Sequence, residues 1–225
     1  MKYPFSPKPP PSTVLFPAMH THIDGELLNL FREPARILFA GNSGSGKTTL
    51  VSNILRQYRS EFDEVVIIGA DLPNSADLHI TRNDTYNPLT DPIKGSKTLV
   101  IFDDIIFEPR TMKIAAESFV RARHLGVSLF FLSQNLYLQS KEFRVIGLNV
   151  THVFLLRCRD TKQIYLYGKS FLQDRQVPFF VELFKRVVLK TKYSHLLIDF
   201  TADCDSPLML RSHIASGTSE RAYEL

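Results

Sequence analysis

The sequence predicts an α/β domain with a mostly parallel sheet and helices on both faces. Three observations carry that expectation. Short apolar runs alternate with stretches whose apolar residues recur at helical spacing. Gly41-Asn42-Ser43-Gly44-Ser45-Gly46-Lys47-Thr48 joins the first such run to the first such stretch and fits G-x-x-x-x-G-K-[ST]. A later apolar run ends in the paired carboxylates Asp103-Asp104.

The first element is the run Arg36–Ala40, suited to a buried strand. The glycine loop follows, and then a helix from Thr48 to Tyr58 with Leu50, Val51, Ile54, Leu55 and Tyr58 on one face. Strand, glycine loop and helix in that order are the context that makes the motif a phosphate cradle. A triphosphate needs many donors at close range. Glycines let the backbone turn tightly and bring N–H groups to the phosphates, and the helix start adds the positive end of its dipole. Lys47 is expected to reach the β- and γ-phosphates, Thr48 to ligate Mg²⁺, and Thr49 to complete the loop's contact with ATP.

Glu64–Ala70 reads as a second buried strand, rich in β-branched residues. Asp71 to Pro92 is polar and reads as a long loop or a set of short turns. Thr98–Asp104 is the third strand. Its carboxylates fall about 55 residues after the loop, at the same sheet edge. Asp103 would hold Mg²⁺ through water, and Asp104 could polarise an attacking water. Glu108–His124 reads as a helix packed through Met112, Ala115, Ala116, Phe119 and Ala122, and it ends in Arg121-Ala122-Arg123-His124. Val127–Leu132 is a fourth strand running into Ser133-Gln134-Asn135. The amide there serves either to sense the γ-phosphate or simply to form a strand-end turn. Leu136–Asn149 reads as a helix, Val153–Leu156 as a fifth strand, Asp160–Leu172 and Pro178–Leu189 as helices, and Ser194–Phe200 as a closing strand.

The chain therefore divides into a proline-rich arm over residues 1–23, a nucleotide-binding domain over 24–200 and a tail or strap over 201–225. The arm reads as a disordered tail or as a segment docking on a neighbouring subunit. Asp24–Phe31 is expected to form a short helix, and His20 and His22 have no matching ligand set.

Composition narrows the classes. The 225 residues suffice for one α/β domain, and 44% hydrophobic with 22% charged residues is ordinary for a soluble protein. A net charge of +4 is compatible with a nucleic-acid partner without requiring one. Cys158 and Cys204 do not make a disulfide framework and fit a reducing compartment. No apolar run approaches the ~20 residues that span a bilayer, and no signal-peptide core precedes the domain.

The order of these signals carries a family resemblance. A phosphate loop, an Asp-Asp strand end, the segment Arg121-Ala-Arg-His-Leu-Gly-Val-Ser-Leu-Phe-Phe-Leu-Ser-Gln-Asn135, and then Lys141-Glu-Phe-Arg144 through Leu148-Asn149 resemble the FtsK–HerA superfamily. Within it, the likeness is strongest to the genome-packaging ATPases of large DNA viruses, virophages, poxvirus-type viruses and Polinton-like or adinto-like elements, over residues 34 to 200. The resemblance implies a RecA-like (ASCE) P-loop core with strand order 5-1-4-3-2. It also implies a homo-oligomeric ring, pentamer or hexamer, that uses ATP and Mg²⁺ to drive double-stranded DNA into a capsid at its vertex. Localisation would be the host cytoplasm or nucleus, with association with the virion.

Carried onto this chain, Gln134 takes the sensor position and Arg123 the arginine-finger position. Arg123 would act on a neighbouring subunit, because a helix returning from the Asp strand ends at the sheet edge opposite the phosphate loop. Arg144, which follows the sensor strand, competes for that role. One position departs from the family pattern: many relatives carry Asp-Glu where this chain has Asp103-Asp104, so the base is a methylene shorter. DNA contacts would come from the Asp71–Lys97 region and from basic residues near Lys141 and Lys185, mostly to phosphates. A small-molecule kinase is the alternative enzyme, but neither an arginine-rich lid nor an acceptor pocket is evident. A nucleotide-dependent switch is the alternative non-enzyme, but the chain has no Asn-Lys-x-Asp guanine-reading stretch.

Overall fold

The central strand is β2 (Arg36–Ala40), where Ile37, Leu38, Phe39 and Ala40 are all buried. The structure, a computed structural model, describes residues 21–23, 31, 34–70, 72, 79–91, 96–136, 140–201, 209–213 and 220–223. After a short β1 (Thr21–Ile23) and β2, the described chain runs through α1 (Lys47–Tyr58), β3 (Glu64–Gly69), β4 (Ile80–Arg82), β5 (Thr98–Asp103) and α2 (Pro109–Leu125). It continues through β6 (Val127–Ser133), α3 (Lys141–Asn149), β7 (His152–Leu155), α4 (Thr161–Lys169) and α5 (Val177–Phe184). It ends with β8 (Leu196–Asp199), β9 (Leu210–Ser212) and β10 (Glu220–Tyr223).

One sheet runs in the order β1-β10-β9-β8-β7-β2-β6-β5-β3-β4. Its stretch β7-β2-β6-β5-β3 is parallel throughout and is the expected order 5-1-4-3-2. These strands read as continuous apolar runs because helices cover both their faces. On one face, Leu50, Val51, Ile54 and Leu55 of α1 pack on Ile37, Phe39, Ile101, Phe130 and Phe154. On the other, Met112, Phe119, Phe143, Ile164 and Phe180 of α2 to α5 pack on Leu38, Val100, Phe102, Phe131 and Val153.

Element ends follow local chemistry. α2 stops at Leu125 because Gly126 takes φ 68°, and its N–H closes on the Ala122 carbonyl. α3 begins at Lys141, later than the expected Leu136. Ser140 is its cap, the hydroxyl accepting from the Phe143 N–H at 3.0 Å. The helix expected over Pro178–Leu189 is α5 plus a wider π-type turn at Lys185–Leu189. The loop expected over Asp71–Pro92 contains β4, a three-residue edge strand parallel to β3.

Beyond β8 the sheet continues. β8, β9, β10 and β1 add antiparallel strands to the β7 edge, so the described parts of 201–225 and of the N-terminal arm pair with one another. The antiparallel addition is held by a buried polar group. Asp199 accepts from the Arg211 guanidinium, from Thr201 N at 2.9 Å and Oγ1 at 2.7 Å, and lies 3.4 Å from His152 Nε2. The expected helix Asp24–Phe31 lies outside the described residues except for Phe31, which meets Tyr58 and Phe62 edge to face and stacks on Phe130. His20, Cys204 and the proline-rich stretch also lie outside them.

Candidate functional site

The parallel strands all point their C-terminal ends to one edge, and the glycine loop leaves β2 there. The loop is tied to both neighbours of β2. Gly41 N–H donates to the Ser133 carbonyl at 3.1 Å, and Asn42 N–H to the Arg157 carbonyl at 2.9 Å. The Asn42 side chain accepts from the Arg159 N–H at 2.7 Å. Gly46 caps α1 with φ 96°, and Leu50 N–H returns to its carbonyl at 2.9 Å. A donor-rich loop thus opens at a helix N-terminus, the arrangement that binds phosphate.

A cavity of about 350 Å³ lies over the loop. Ser43, Gly44, Gly46, Lys47, Thr48 and Thr49 line one side, and Asp103, Asp104 and Gln134 face them. The sequence-predicted residues from three separate strand ends therefore share one cavity. Gly41, Asn42 and Ser45 shape the loop from behind without lining the cavity, and Ser45 is buried.

Lys47 bends back onto its own loop. Its Nζ donates to the carbonyls of Gly41 at 2.6 Å and Asn42 at 3.2 Å. Burial lowers its pKa, while Asp103 and Asp104 pull it back up. Burial pushes the Asp103 carboxyl up to about 6, with Lys47 opposing and Asp104 adding to the rise. Two carboxylates thus face a single ammonium, and a divalent cation would relieve that imbalance. The donor set suits Mg²⁺: a Thr48 hydroxyl, the Asp103 carboxylate and room for water are hard oxygen ligands.

Asp104 leaves the strand through a left-handed backbone, φ 54°, a conformation that Asp tolerates better than most residues. That turn brings its carboxylate into the cavity, where the Gln134 side-chain amide donates to it at 3.4 Å. Gln134 is presented by a local turn: the Ser133 hydroxyl donates to the Asn135 carbonyl at 2.6 Å and accepts from the Asn135 N–H at 3.1 Å. The strand-end turn and the cavity-facing amide are therefore one feature.

The two arginines do not join this group. Arg123 is exposed in the last turn of α2, next to the start of β6. The length of β6 separates it from the loop edge, roughly 20 Å at strand rise. Arg144 is exposed in the first turn of α3 and is likewise not among the described residues lining the cavity. A residue that sequence reasoning missed does line it: Tyr193, from the turn before β8. Nothing in Lys192-Tyr193-Ser194 marks it, because only the fold brings that turn to the loop.

Fold and loop together define a RecA-like P-loop domain. Comparison with solved structures finds the same fold in the genome packaging NTPase B204 of Sulfolobus turreted icosahedral virus 2. Its AMPPCP complex matches with a TM-score of 0.58 at 12% identity, covering 80% of this chain and 98% of that one. The ATP-gammaS complex of the same protein matches with a TM-score of 0.57, also at 12% identity, covering 80% and 97%. The pCW3 conjugation coupling protein TcpA matches with a TM-score of 0.53 at 14% identity, covering 85% of this chain and 60% of that one. No protein-family model matches the chain, and no curated protein does. The fold class read from the sequence is thus the fold of these proteins. Among the described residues no helix is long and apolar enough to cross a membrane, and no cluster of His, Cys, Asp and Glu makes a separate metal site.

Proposed function

We propose that this chain is an ATP-hydrolysing motor that translocates double-stranded DNA into a viral capsid. The observation that carries the reading is the shared cavity of Lys47, Thr48, Asp103, Asp104 and Gln134 at one sheet edge. That set supplies a phosphate cradle, a cation ligand pair, a base and a polar group that orients the base. A kinase would need a second pocket for its acceptor in place of a base aimed at water.

In this reading the loop N–H groups and Lys47 bind the triphosphate, with Lys47 exchanging its carbonyl partners for phosphate oxygens. Thr48 and Asp103 would hold Mg²⁺, which would supply positive charge against the phosphates. Asp104 draws the proton of the attacking water, and Gln134 fixes the direction of the Asp104 carboxylate. The turned backbone at Asp104 puts the shorter side chain into the cavity, which offsets the methylene it lacks relative to Glu.

Lys47 and a bound Mg²⁺ together still do not balance a triphosphate and two carboxylates, so charge developing in the transition state needs a further cation. Arg123 lies too far from its own cavity and is assigned to that of the next subunit in a homo-oligomeric ring. Arg144 is the alternative. The fold shared with a genome packaging NTPase supports the choice of capsid packaging, with capsid vertex proteins as docking partners and host cytoplasm or nucleus as the compartment.

The test is ATP hydrolysis by the purified chain with and without duplex DNA at low salt. Stimulation that fades as salt rises is expected, because phosphate contacts release counterions. Hydrolysis indifferent to DNA, with no ring visible by electron microscopy, would overturn the motor reading.

A further inference from the structure

Tyr193 lies far from the phosphate loop in sequence, yet the fold brings it to the wall of the phosphate cavity. Its backbone has φ 67°, a conformation that bulky side chains rarely adopt. Such backbone outliers persist where surrounding structure over-determines them, often at functional sites. Its ring packs on Gly46 so closely that a Cβ there would lie 2.8 Å from the Tyr193 Cδ1. Despite that contact, Tyr193 stays 54% exposed. Lys192 Nζ stands 4.9 Å over the ring centroid, a cation–π contact that orients it.

Position gives the ring a partner. Phosphates bound by the loop lie against Gly46, Lys47, Thr48 and Thr49 at the start of α1. The rest of a nucleotide must leave the cavity past its rim. Tyr193 is the only aromatic among the described residues that line it. A flat, half-exposed ring beside the end of a phosphate cradle suits a flat base, since every base has a π-face.

We propose that Tyr193 is the platform on which the base of a bound nucleoside triphosphate stacks, with Lys192 holding the ring in place. This deepens the nucleotide reading of the cavity and rests on it, but it does not depend on DNA translocation.

The chain contains no tryptophan, so Tyr193→Trp installs a single reporter on the platform. ATP is expected to quench its fluorescence. Inorganic tripolyphosphate, which fills the loop without carrying a base, is expected to leave it nearly unchanged. Tyr193→Gly keeps the left-handed backbone available while removing the ring. By calorimetry it should weaken ATP binding roughly 5- to 150-fold, the range expected for one lost stacking contact. Its tripolyphosphate affinity should be unchanged, and Tyr193→Phe should bind ATP like the parent. Equal weakening toward both ligands would make Tyr193 a support of the loop, and unchanged ATP affinity would remove its role; either outcome overturns the platform. If the parent binds tripolyphosphate but not ATP, the ring covers the site, and the platform and the nucleotide reading fail together. If it binds neither, the nucleotide reading of the cavity fails with it.

Discussion

Gly69 and Asp103 face each other as paired residues at the ends of β3 and β5, so closely that a Cβ on Gly69 would sit 1.9 Å from the Asp103 carbonyl oxygen. Gly69 also has φ 99°, and the next N–H, that of Ala70, donates to the same carbonyl at 3.1 Å. The candidate metal-binding carboxylate is therefore positioned by a glycine on a different strand. Gly69→Ala adds a backbone clash to an unfavourable φ, and we expect a loss of about 2–4 kcal/mol in stability. Denaturant titration reads that loss. ATP hydrolysis should fall further than the unfolded fraction explains, because Asp103 must shift.

The contact between Gln134 and Asp104 makes a separate prediction. A residue that aims the base, without binding the ground-state phosphates, acts mainly on the chemical step. Gln134→Ala should lower kcat by roughly 10²-fold with little change in KM, within the range for general-base assistance. Asp104→Asn should cost at least as much. A large rise in KM for Gln134→Ala would instead place the amide on bound nucleotide.

The parallel half of this site was legible because its signals are local. Val100 and Phe131 belong to apolar runs that read as buried strands, and the runs end in the residues that line the cavity. Of the antiparallel half only β8 was legible, as the closing strand read over Ser194–Phe200. β9 is three residues long, and its Arg211 looks like a surface cation until Asp199 is found beside it in the core. Tyr193 was invisible for a related reason: no local preference favours a left-handed tyrosine, so only tertiary packing explains it. β4 was lost in a polar stretch because Ile80-Thr81-Arg82 is mostly exposed and pairs on one side only.

If Arg123 acts on the neighbouring subunit, its loss and the loss of Lys47 fall on different active sites of one ring. Lys47→Ala and Arg123→Ala should each abolish hydrolysis when alone. Mixed in equal amounts, they should regain a measurable fraction, because some interfaces join an intact loop to an intact arginine. Two inactive parents that stay inactive when mixed, with Arg144→Ala complementing Lys47→Ala instead, would assign the finger to Arg144.

The buried group joining β7, β8 and β9 predicts a pH dependence of stability. Burial drops His152 from 6.5 to about 4, with Asp199 opposing and Arg211 adding to the fall, so its ring is neutral at pH 7. Above pH 6.5 folded and unfolded chains both carry a neutral imidazole, and the group contributes no slope. Below it the unfolded chain takes up a proton that the folded chain refuses until near pH 4, so stability falls through that window. Between pH 7 and pH 5 the loss is about 2 kcal/mol. Asp103, raised to about 6, acts in the opposite sense over part of the same range, so the measurement is a difference. Denaturant midpoints at both pH values should show that His152→Asn removes this loss while Asp103→Asn increases the net fall. Equal slopes for the parent and His152→Asn would mean that the imidazole keeps its proton inside the sheet.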